Sequence, residues 1–233
     1  VLGNKLVRQA IARAIDRDKI VKYVLSNMAS VADTLIPASS VFHAGDLKMP
    51  PYDPEAAKSL LDQAGFKAQG NEPRFNLSYK TTTDQTRVVV AKAVAADLRR
   101  IGIGVKVETL EWGRFKADVD HGRVELWSLS WVGFKDPDIY RFAFASSSFP
   151  PNGGNRGWFS SSPLDALLAE GMGETNESKR KHIYAEVEHA VNEEAPYAFL
   201  WHEDVFAVVS KRVKGFELYA DGRLSSLAYA TKE

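Results

Sequence analysis

The chain of 233 residues is long enough for one large domain or two small ones, and 45% apolar with 26% charged residues is typical of globular proteins. Thirty basic residues balance 30 acidic ones without a block of like charge, so nucleic acid and anionic membranes are poor candidate partners. The absence of cysteine excludes disulfides, cysteine-ligated zinc and a cysteine nucleophile.

The start of the chain and its hydropathy limit where the protein can act. No apolar stretch reaches 18 residues, so we expect no membrane-spanning helix. The chain begins at Val1 rather than at methionine and has no signal-peptide pattern, which predicts a piece of a longer or processed protein.

The first quarter of the chain is predicted to be helical around one long loop. Apolar spacing predicts an amphipathic helix over 4–15, and Asp16 can cap a second short helix. Residues 29–52 contain three prolines and small polar residues, which favour a surface loop. The next helix is predicted to start after an N-cap at Asp53 and to end before Gly65.

The middle of the chain alternates between the two periodicities. Alternating side chains predict strands at 75–79 and 105–107, separated by a helix over 84–101. A short helix over 112–119 follows. Residues 124–131 are then apolar on both faces, which predicts a strand in a central position.

The carboxyl-terminal third is predicted to contain three helices, two strands and a turn. In chain order these are 137–145, 163–172, 176–195, 197–202, 205–210 and Asp221–Gly222. Strands that alternate with helices predict the α/β class, with a central, largely parallel sheet flanked by helices.

Motifs for nucleotide or metal chemistry are weak in this sequence. Gly102-Ile103-Gly104 follows a helix and precedes a strand, the reverse of a dinucleotide-binding turn. His182, Glu186 and His189 share a helix face, but histidines seven residues apart lie roughly 10 Å apart along the axis. We interpret this face as solvated and charged, and we expect no metal, no cofactor and no catalytic residue.

An enzymatic alternative remains open at two positions. A small α/β hydrolase could use Asp136 or His202 as a general base, although no nucleophile adjoins either residue. A stand-alone interaction module is a further alternative.

Tryptophans offer the better functional signal. Trp127 and Trp131 fall on one face of the predicted central strand, where core packing is the ordinary role of an aromatic side chain. Trp131 differs because it lies at the carboxyl end of that strand, where open α/β sheets bind their ligands.

Six segments, taken in their order along the chain, resemble the carboxyl half of a known family. That family is the periplasmic solute-binding proteins of peptide- and nickel-type ABC transporters, the family 5 extracellular solute-binding proteins. The segments are VRQAIARAIDRDKIV at 7–21, PYDPEAAKSLLDQAGF at 51–66, SWVGFKDPD at 130–138, SSPLDALL at 161–168, RKHIYAEVEHAVNEEAPYAFLW at 180–201 and VKGFELYADGRL at 213–224.

The resemblance implies a protein of two lobes that closes on a peptide or other small solute and delivers it to an ABC permease. By this template residues 1–204 form the second lobe, and residues 205–233 return to a first lobe that lies mostly outside this chain. The expected location is the periplasm, or the cell exterior on a lipid anchor. Without the first lobe, residues 205–233 are expected to self-associate or to fold back onto their own lobe.

The resemblance also suggests ligand-binding residues around the segment at 130–138. Trp131 would be a platform for the ligand. In peptide-binding members an acid three positions after this tryptophan holds the amino terminus of the peptide, and here Phe134 occupies that position. An ordinary peptide amine is therefore a doubtful ligand group. Asp136 could replace the acid, or it could be the N-cap of a helix that begins at Pro137.

Three further residues are predicted to lie near the cleft. Arg156 could reach a carboxylate or phosphate of the ligand, with an ordinary surface arginine as the alternative. Trp201 and His202 match the segment where the chain crosses between lobes, and a core role is the alternative for the tryptophan.

Overall fold

The computed structural model describes residues 1–70, 72–134, 136–219 and 222–233. The predicted turn at Asp221–Gly222 therefore lies partly outside the described residues. The elements, in chain order, are α1 (Lys5–Ala14), α2 (Arg17–Lys19), a π-helical turn (Ile20–Val24), β1 (Ala29–Val31), α3 (Pro54–Gln63), β2 (Phe75–Thr82), α4 (Gln85–Arg100), β3 (Ile103–Leu110), α5 (Trp112–Asp120), α6 (Ile139–Phe144), a 3₁₀ turn (Ser146–Ser148), α7 (Ser162–Gly173), α8 (Glu177–Glu194), β4 (Trp201–Glu203), β5 (Val213–Lys214), a 3₁₀ turn (Ser225–Tyr229) and β6 (Thr231–Lys232).

Helix α3 shows how local sequence determines an element. The carboxylate of Asp53 accepts a hydrogen bond of 2.9 Å from the backbone N–H of Ala56, and Pro54 occupies the first helical position. Leu61 is fully buried on the core-facing side. The chain leaves the helix through Gly65, whose φ of +90° is a conformation that glycine adopts without strain. Both predicted boundaries are confirmed.

The α/β class is confirmed, with a parallel strand pair at its centre. Strands β2 and β3 pair in parallel from Phe75 opposite Ile103 to Thr82 opposite Leu110, and α4 connects them. Residues 124–131 add one parallel bridge, in which the backbone of Leu126 bonds to Ser78 and Lys80 at 3.0 and 2.9 Å.

The prediction that residues 124–131 form a buried central strand is wrong. Within the described part of the chain, this segment has β2 on one side and no strand on the other, and Leu126 and Trp127 are only half-buried. A central strand needs a partner along each edge, and apolar side chains alone do not supply one.

Residues 29–52 are less exposed than a surface loop, so that prediction is wrong for much of the segment. Strand β1 pairs antiparallel with β4, which places Ser30 opposite His202. The guanidinium of the buried Arg17 donates to the backbone oxygens of Ala32 at 2.7 Å and Pro50 at 3.1 Å. Buried residues of the segment are Ala29, Ala32, Thr34, Leu35, Ile36, Ala44, Leu47 and Met49.

The interior consists of two apolar clusters. The first is formed by α1, α3, α4, β2 and β3, and the second by the 29–52 loop with α6, α7 and α8. The second cluster encloses Glu188, which is 1% exposed and accepts hydrogen bonds from the Tyr140 hydroxyl at 2.8 Å and the Ala44 N–H. Burial and the adjacent carboxylate raise the pKa of Tyr140 well above its ordinary value.

The last part of the chain packs little. No strand forms over 205–210, so that prediction is wrong, and the predicted strand at 197–202 is reduced to β4. Phe206 is 69% exposed and Val208 is 97% exposed. Strand β5 pairs only with β6, and Ser226 is the one buried residue among those described in 205–233. Among the described residues, none of the helices has the length and apolar character needed to cross a membrane.

Candidate functional site

A broad groove of about 2370 Å³ crosses one face of the structure. Its walls come from the 30–39 loop, the segment 121–134, the loop 156–160 and the chain around β4. Five of the six predicted site residues line it: Trp131, Phe134, Arg156, Trp201 and His202. Asp136 does not, because its side chain bonds to α8 on the other side of the loop. Ligand pockets typically have volumes of roughly 300–1,000 Å³, so this groove has room for more than a single small molecule.

Trp131 is held by contacts on two sides. Its ring meets Phe142 edge-on, with ring centroids 5.8 Å apart. The guanidinium carbon of Arg156 lies 5.3 Å from the centre of the Trp131 ring, a cation–π distance. A Cβ atom at Gly154 would come within 2.5 Å of both aromatic rings, so this close approach requires glycine.

Arg156 presents part of its charge to the groove. Its Nε donates to the Asp120 carboxylate at 2.9 Å, and Lys116 pairs with the same carboxylate. Burial raises the pKa of Asp120, but the hydrogen bonds from Lys116 and Arg156 outweigh burial and hold that pKa below its ordinary value. Neither Nη atom of Arg156 has a hydrogen-bond acceptor among the residues that the structure describes. Those donors are free for an anionic group.

Phe134 is partly buried against the second apolar cluster. It follows Gly133, whose φ of +75° is a conformation that glycine adopts without strain. An apolar ring here provides no carboxylate for a ligand amine.

His202 and Trp201 project from β4 at the edge of the groove. Trp201 packs against the first apolar cluster, as the core alternative predicted, and it also lines the groove. Burial lowers the pKa of His202; a hydrogen bond with the Thr34 backbone and the charge of Asp33 oppose this effect, whereas neighbouring His43 adds to it. The neutral imidazole is therefore favoured.

Asp136 serves the fold rather than the groove. Its carboxylate pairs with Arg180 through two bonds, Nη1 to Oδ2 at 3.0 Å and Nη2 to Oδ1 at 2.7 Å. It also accepts from the backbone N–H of Asp138 at 2.9 Å. The helix that follows begins at Ile139, two residues later than predicted, so Asp136 stabilises the preceding turn instead of the first helical turn.

The histidine face of α8 shows ordinary surface contacts. His182 lies 3.2 Å from Glu186, and His189 lies 3.4 Å from Asp46. Across the described ranges, no group of three or more His, Asp or Glu side chains is arranged to hold a metal ion.

Two residues of interest were not predicted. Arg87, near the start of α4, lines the groove and donates to the backbone oxygen of Ser128 at 3.3 Å. Its position just beyond the carboxyl end of β2 was the available signal, because ligands gather at that end of parallel strands. Arg180 gave no local signal, because the two carboxylates that it binds lie more than 40 residues earlier in the chain.

Comparison with known proteins identifies the same family as the sequence motifs. The sequence matches the family described as "Bacterial extracellular solute-binding proteins, family 5 Middle" over residues 1–152. It is 27% identical to the dipeptide-binding protein of Escherichia coli, over 92% of this chain and 40% of that protein. It is 31% identical to heme-binding protein A of Haemophilus influenzae, over 91% of this chain and 39% of that protein.

The fold matches solved structures as well. A dipeptide-binding protein from Pseudoalteromonas in complex with Met-Leu superposes with a TM-score of 0.82 at 28% identity, covering 99% of this chain and 46% of that one. This chain thus spans less than half the length of the relatives it matches.

Proposed function

Because the chain belongs to the bacterial extracellular solute-binding proteins of family 5, we propose that it is one lobe of the binding component of an ABC importer. The lobe captures a peptide or other small solute in its groove, and closure against a first lobe delivers the solute to a permease. The longer protein acts in the periplasm, or outside the cell on a lipid anchor.

The groove carries this proposal. Five residues that the sequence assigned to ligand binding, scattered between positions 131 and 202, line one continuous surface. Aromatic side chains with a few placed polar groups are the usual lining of a ligand site. Trp131 and Trp201 supply the aromatic surface, and Arg156 and His202 supply the polar groups.

Two positions in the groove, 134 and 156, indicate the type of ligand. Phe134 stands where the resemblance places an amine-binding acid, whereas Arg156 has two nitrogens available to an anion. The ligand therefore binds through a carboxylate or a similar anion next to a flat apolar group. No acidic side chain at position 134 binds its amine. One relative was solved in complex with the dipeptide Met-Leu, and another is a heme-binding protein. Met-Leu and heme both carry carboxylates.

The division of the chain follows the same template. Residues 1–204 are the second lobe and residues 205–233 return to the first lobe of the longer protein. Supporting this division, both apolar clusters draw their members from residues 2–201, and among the described residues of 205–233 only Ser226 is buried. In isolation this exposed segment would drive self-association, although no strand at 205–210 is available to do so by edge pairing.

The hydrolase alternative has no support at its two positions. The carboxylate of Asp136 is occupied by Arg180, and no described hydroxyl group is hydrogen-bonded to His202 as a nucleophile would be. A general base needs a free site within reach of the proton that it removes.

A titration of the longer protein tests the proposal. Calorimetry with Met-Leu, its N-acetyl derivative and its carboxyl-terminal amide would separate the two charged ends of the ligand. We expect acetylation of the amine to change affinity little and amidation of the carboxylate to weaken it, because Arg156 binds the carboxylate. Arg156→Ala should weaken Met-Leu binding roughly tenfold or more, the cost of a charge-assisted hydrogen bond.

Arg123→Ala is the matched control, since Arg123 pairs with Asp118 outside the groove. Loss of binding on acetylation would contradict the assignment of Phe134. If the longer protein binds none of the three and carries no solute in native mass spectrometry, the proposed function is wrong.

A further inference from the structure

The segment that carries Trp131 and Phe134 has little regular structure of its own. Leu126 is the last residue bridged to β2, and α6 begins only at Ile139. Val132 is 84% exposed, and Gly133 interrupts the chain with a positive φ. The positions of the two groove residues must therefore be determined by contacts made further along.

Beyond the contacts of Trp131 with Phe142 and Arg156, a second set of contacts centres on Arg180. Besides its two bonds to Asp136, its Nη2 donates to the Asp138 carboxylate at 3.0 Å, and its Nε donates to the Gly171 backbone oxygen at 3.1 Å. Asp138 also accepts a hydrogen bond from the Tyr184 hydroxyl. One guanidinium thus joins the turn at 136–138, the end of α7 and the second turn of α8.

The surroundings of Arg180 restrict its movement. The rings of Phe42 and Tyr184 each lie 5.2 Å from the guanidinium carbon, and the side chain is 16% exposed. The hydrogen bond from Arg180 lowers the pKa of Asp136, so this pair remains ionised at neutral pH.

From this geometry we propose that Arg180 is a positioning residue for the ligand groove. By holding Asp136 and Asp138 it orients the preceding segment, so that Trp131 and Phe134 face the groove before a ligand arrives. Arg180 does not line the groove, so it acts on affinity only through that segment. This inference deepens the proposed function and rests on it for the link to ligand affinity.

A neighbouring ion pair shows why Arg180 is different. Lys181 pairs with Glu177 one turn earlier on the same helix, through one contact of 2.7 Å between side chains that are 39% and 72% exposed. An exposed pair of this kind restrains little, because water screens the attraction and fixing two long side chains in one geometry costs entropy. The bidentate geometry at Arg180 gives direction as well as attraction, which a lysine cannot reproduce.

Hydrogen exchange on the longer protein, measured by mass spectrometry, tests the positioning without a ligand. In Arg180→Ala we expect the amides of 138–142, which are hydrogen-bonded in the turn and in α6, to exchange roughly tenfold faster, while β2 and α4 are unchanged. Arg180→Lys should recover part of the protection. Because Asp136 and Arg180 act together, the double variant with Asp136→Ala should exchange no faster than Arg180→Ala alone, except at Asp138, whose N–H bonds to Asp136 directly.

Lys181→Ala is the matched control and should follow the wild type in exchange and in Met-Leu affinity. Arg180→Ala should weaken Met-Leu binding, and Arg156→Ala should also weaken it but leave exchange at 138–142 unchanged, which separates positioning from contact. Unchanged exchange in Arg180→Ala, or equal changes in Lys181→Ala, would overturn the inference. Failure of the wild type to bind Met-Leu would count against the peptide ligand, and the exchange result would still decide the role of Arg180.

Discussion

Residues 1–204 and residues 205–233 both carry regularly spaced apolar side chains, but only the first region buries them. Phe144 is 1% exposed between Tyr140 and Tyr197, whereas Phe206 is 69% exposed. A phenylalanine contributes to a core only where a second layer of the structure covers it. The difference shows that apolar periodicity indicates a face that can be buried, and that only a partner surface decides whether it is.

The largest expected effect comes from replacing one phenylalanine by alanine in each of the two regions. Phe144→Ala should lower the free energy of unfolding by about 3–5 kcal/mol, because it opens a cavity in the second apolar cluster. Phe206→Ala should change it by less than about 0.5 kcal/mol, because an exposed ring loses little packing. Urea unfolding of the 233-residue chain measures both. Comparable losses would mean that residues 205–233 pack on the body in solution.

A smaller effect is expected at the junction of the two regions, where His202 lies. Its pKa is lowered by burial, so the unfolded chain takes up the proton first as the pH falls. The stability that this histidine contributes is present above its unfolded pKa of about 6.5 and is lost as the pH falls through the lower folded pKa.

Thermal unfolding between about pH 7.5 and pH 5 should therefore show a shallower pH dependence in His202→Gln than in the wild type. His182→Gln removes a histidine whose side chain is 78% exposed on α8, and it should keep the wild-type slope. Identical slopes for all three proteins would mean that His202 is not buried in solution.

The smallest expected effect on stability is that of removing residues 205–233 altogether. Truncation after Asp204 should shift the thermal midpoint by less than about 4 °C, because neither apolar cluster loses a member. Trypsin should cut first at Lys211, Arg212 or Lys214, which are exposed, whereas the buried Arg17 should be resistant. In the longer protein the same three sites should be protected, if this segment returns to the first lobe. Equal cleavage in both proteins would contradict the proposed division.

Elements with local signals were predictable. The caps of α3 and α4 place an aspartate before the first turn and a glycine after the last, and Asp53 and Asp84 make the expected bonds at 2.9 Å. The positive φ at Gly65 and Gly102 agrees with this. These features depend on residues within a few positions of one another, so they can be read directly from the order of the residues.

Elements that depend on distant partners were not predictable. Residues 124–131 and 205–210 have the composition of strands, but the first forms one bridge and the second forms none. Residues 29–52 have the composition of a loop, yet part of the segment is buried against β4 and in the second apolar cluster. A strand or a buried loop requires hydrogen-bond partners and surfaces that come from elsewhere in the chain.

The sequence alone determined the α/β class, the boundaries of the capped helices α3 and α4 and, through the order of its motifs, the family and five residues that line the groove. The tertiary structure decided which of those residues share a surface and which serve the scaffold. Asp136 illustrates this difference. Its place in the motif could be recognised from the sequence, but its role depended on Arg180, 44 positions away. Capping and periodicity act over one or two turns, whereas ion pairing and burial depend on distances that only the folded chain sets.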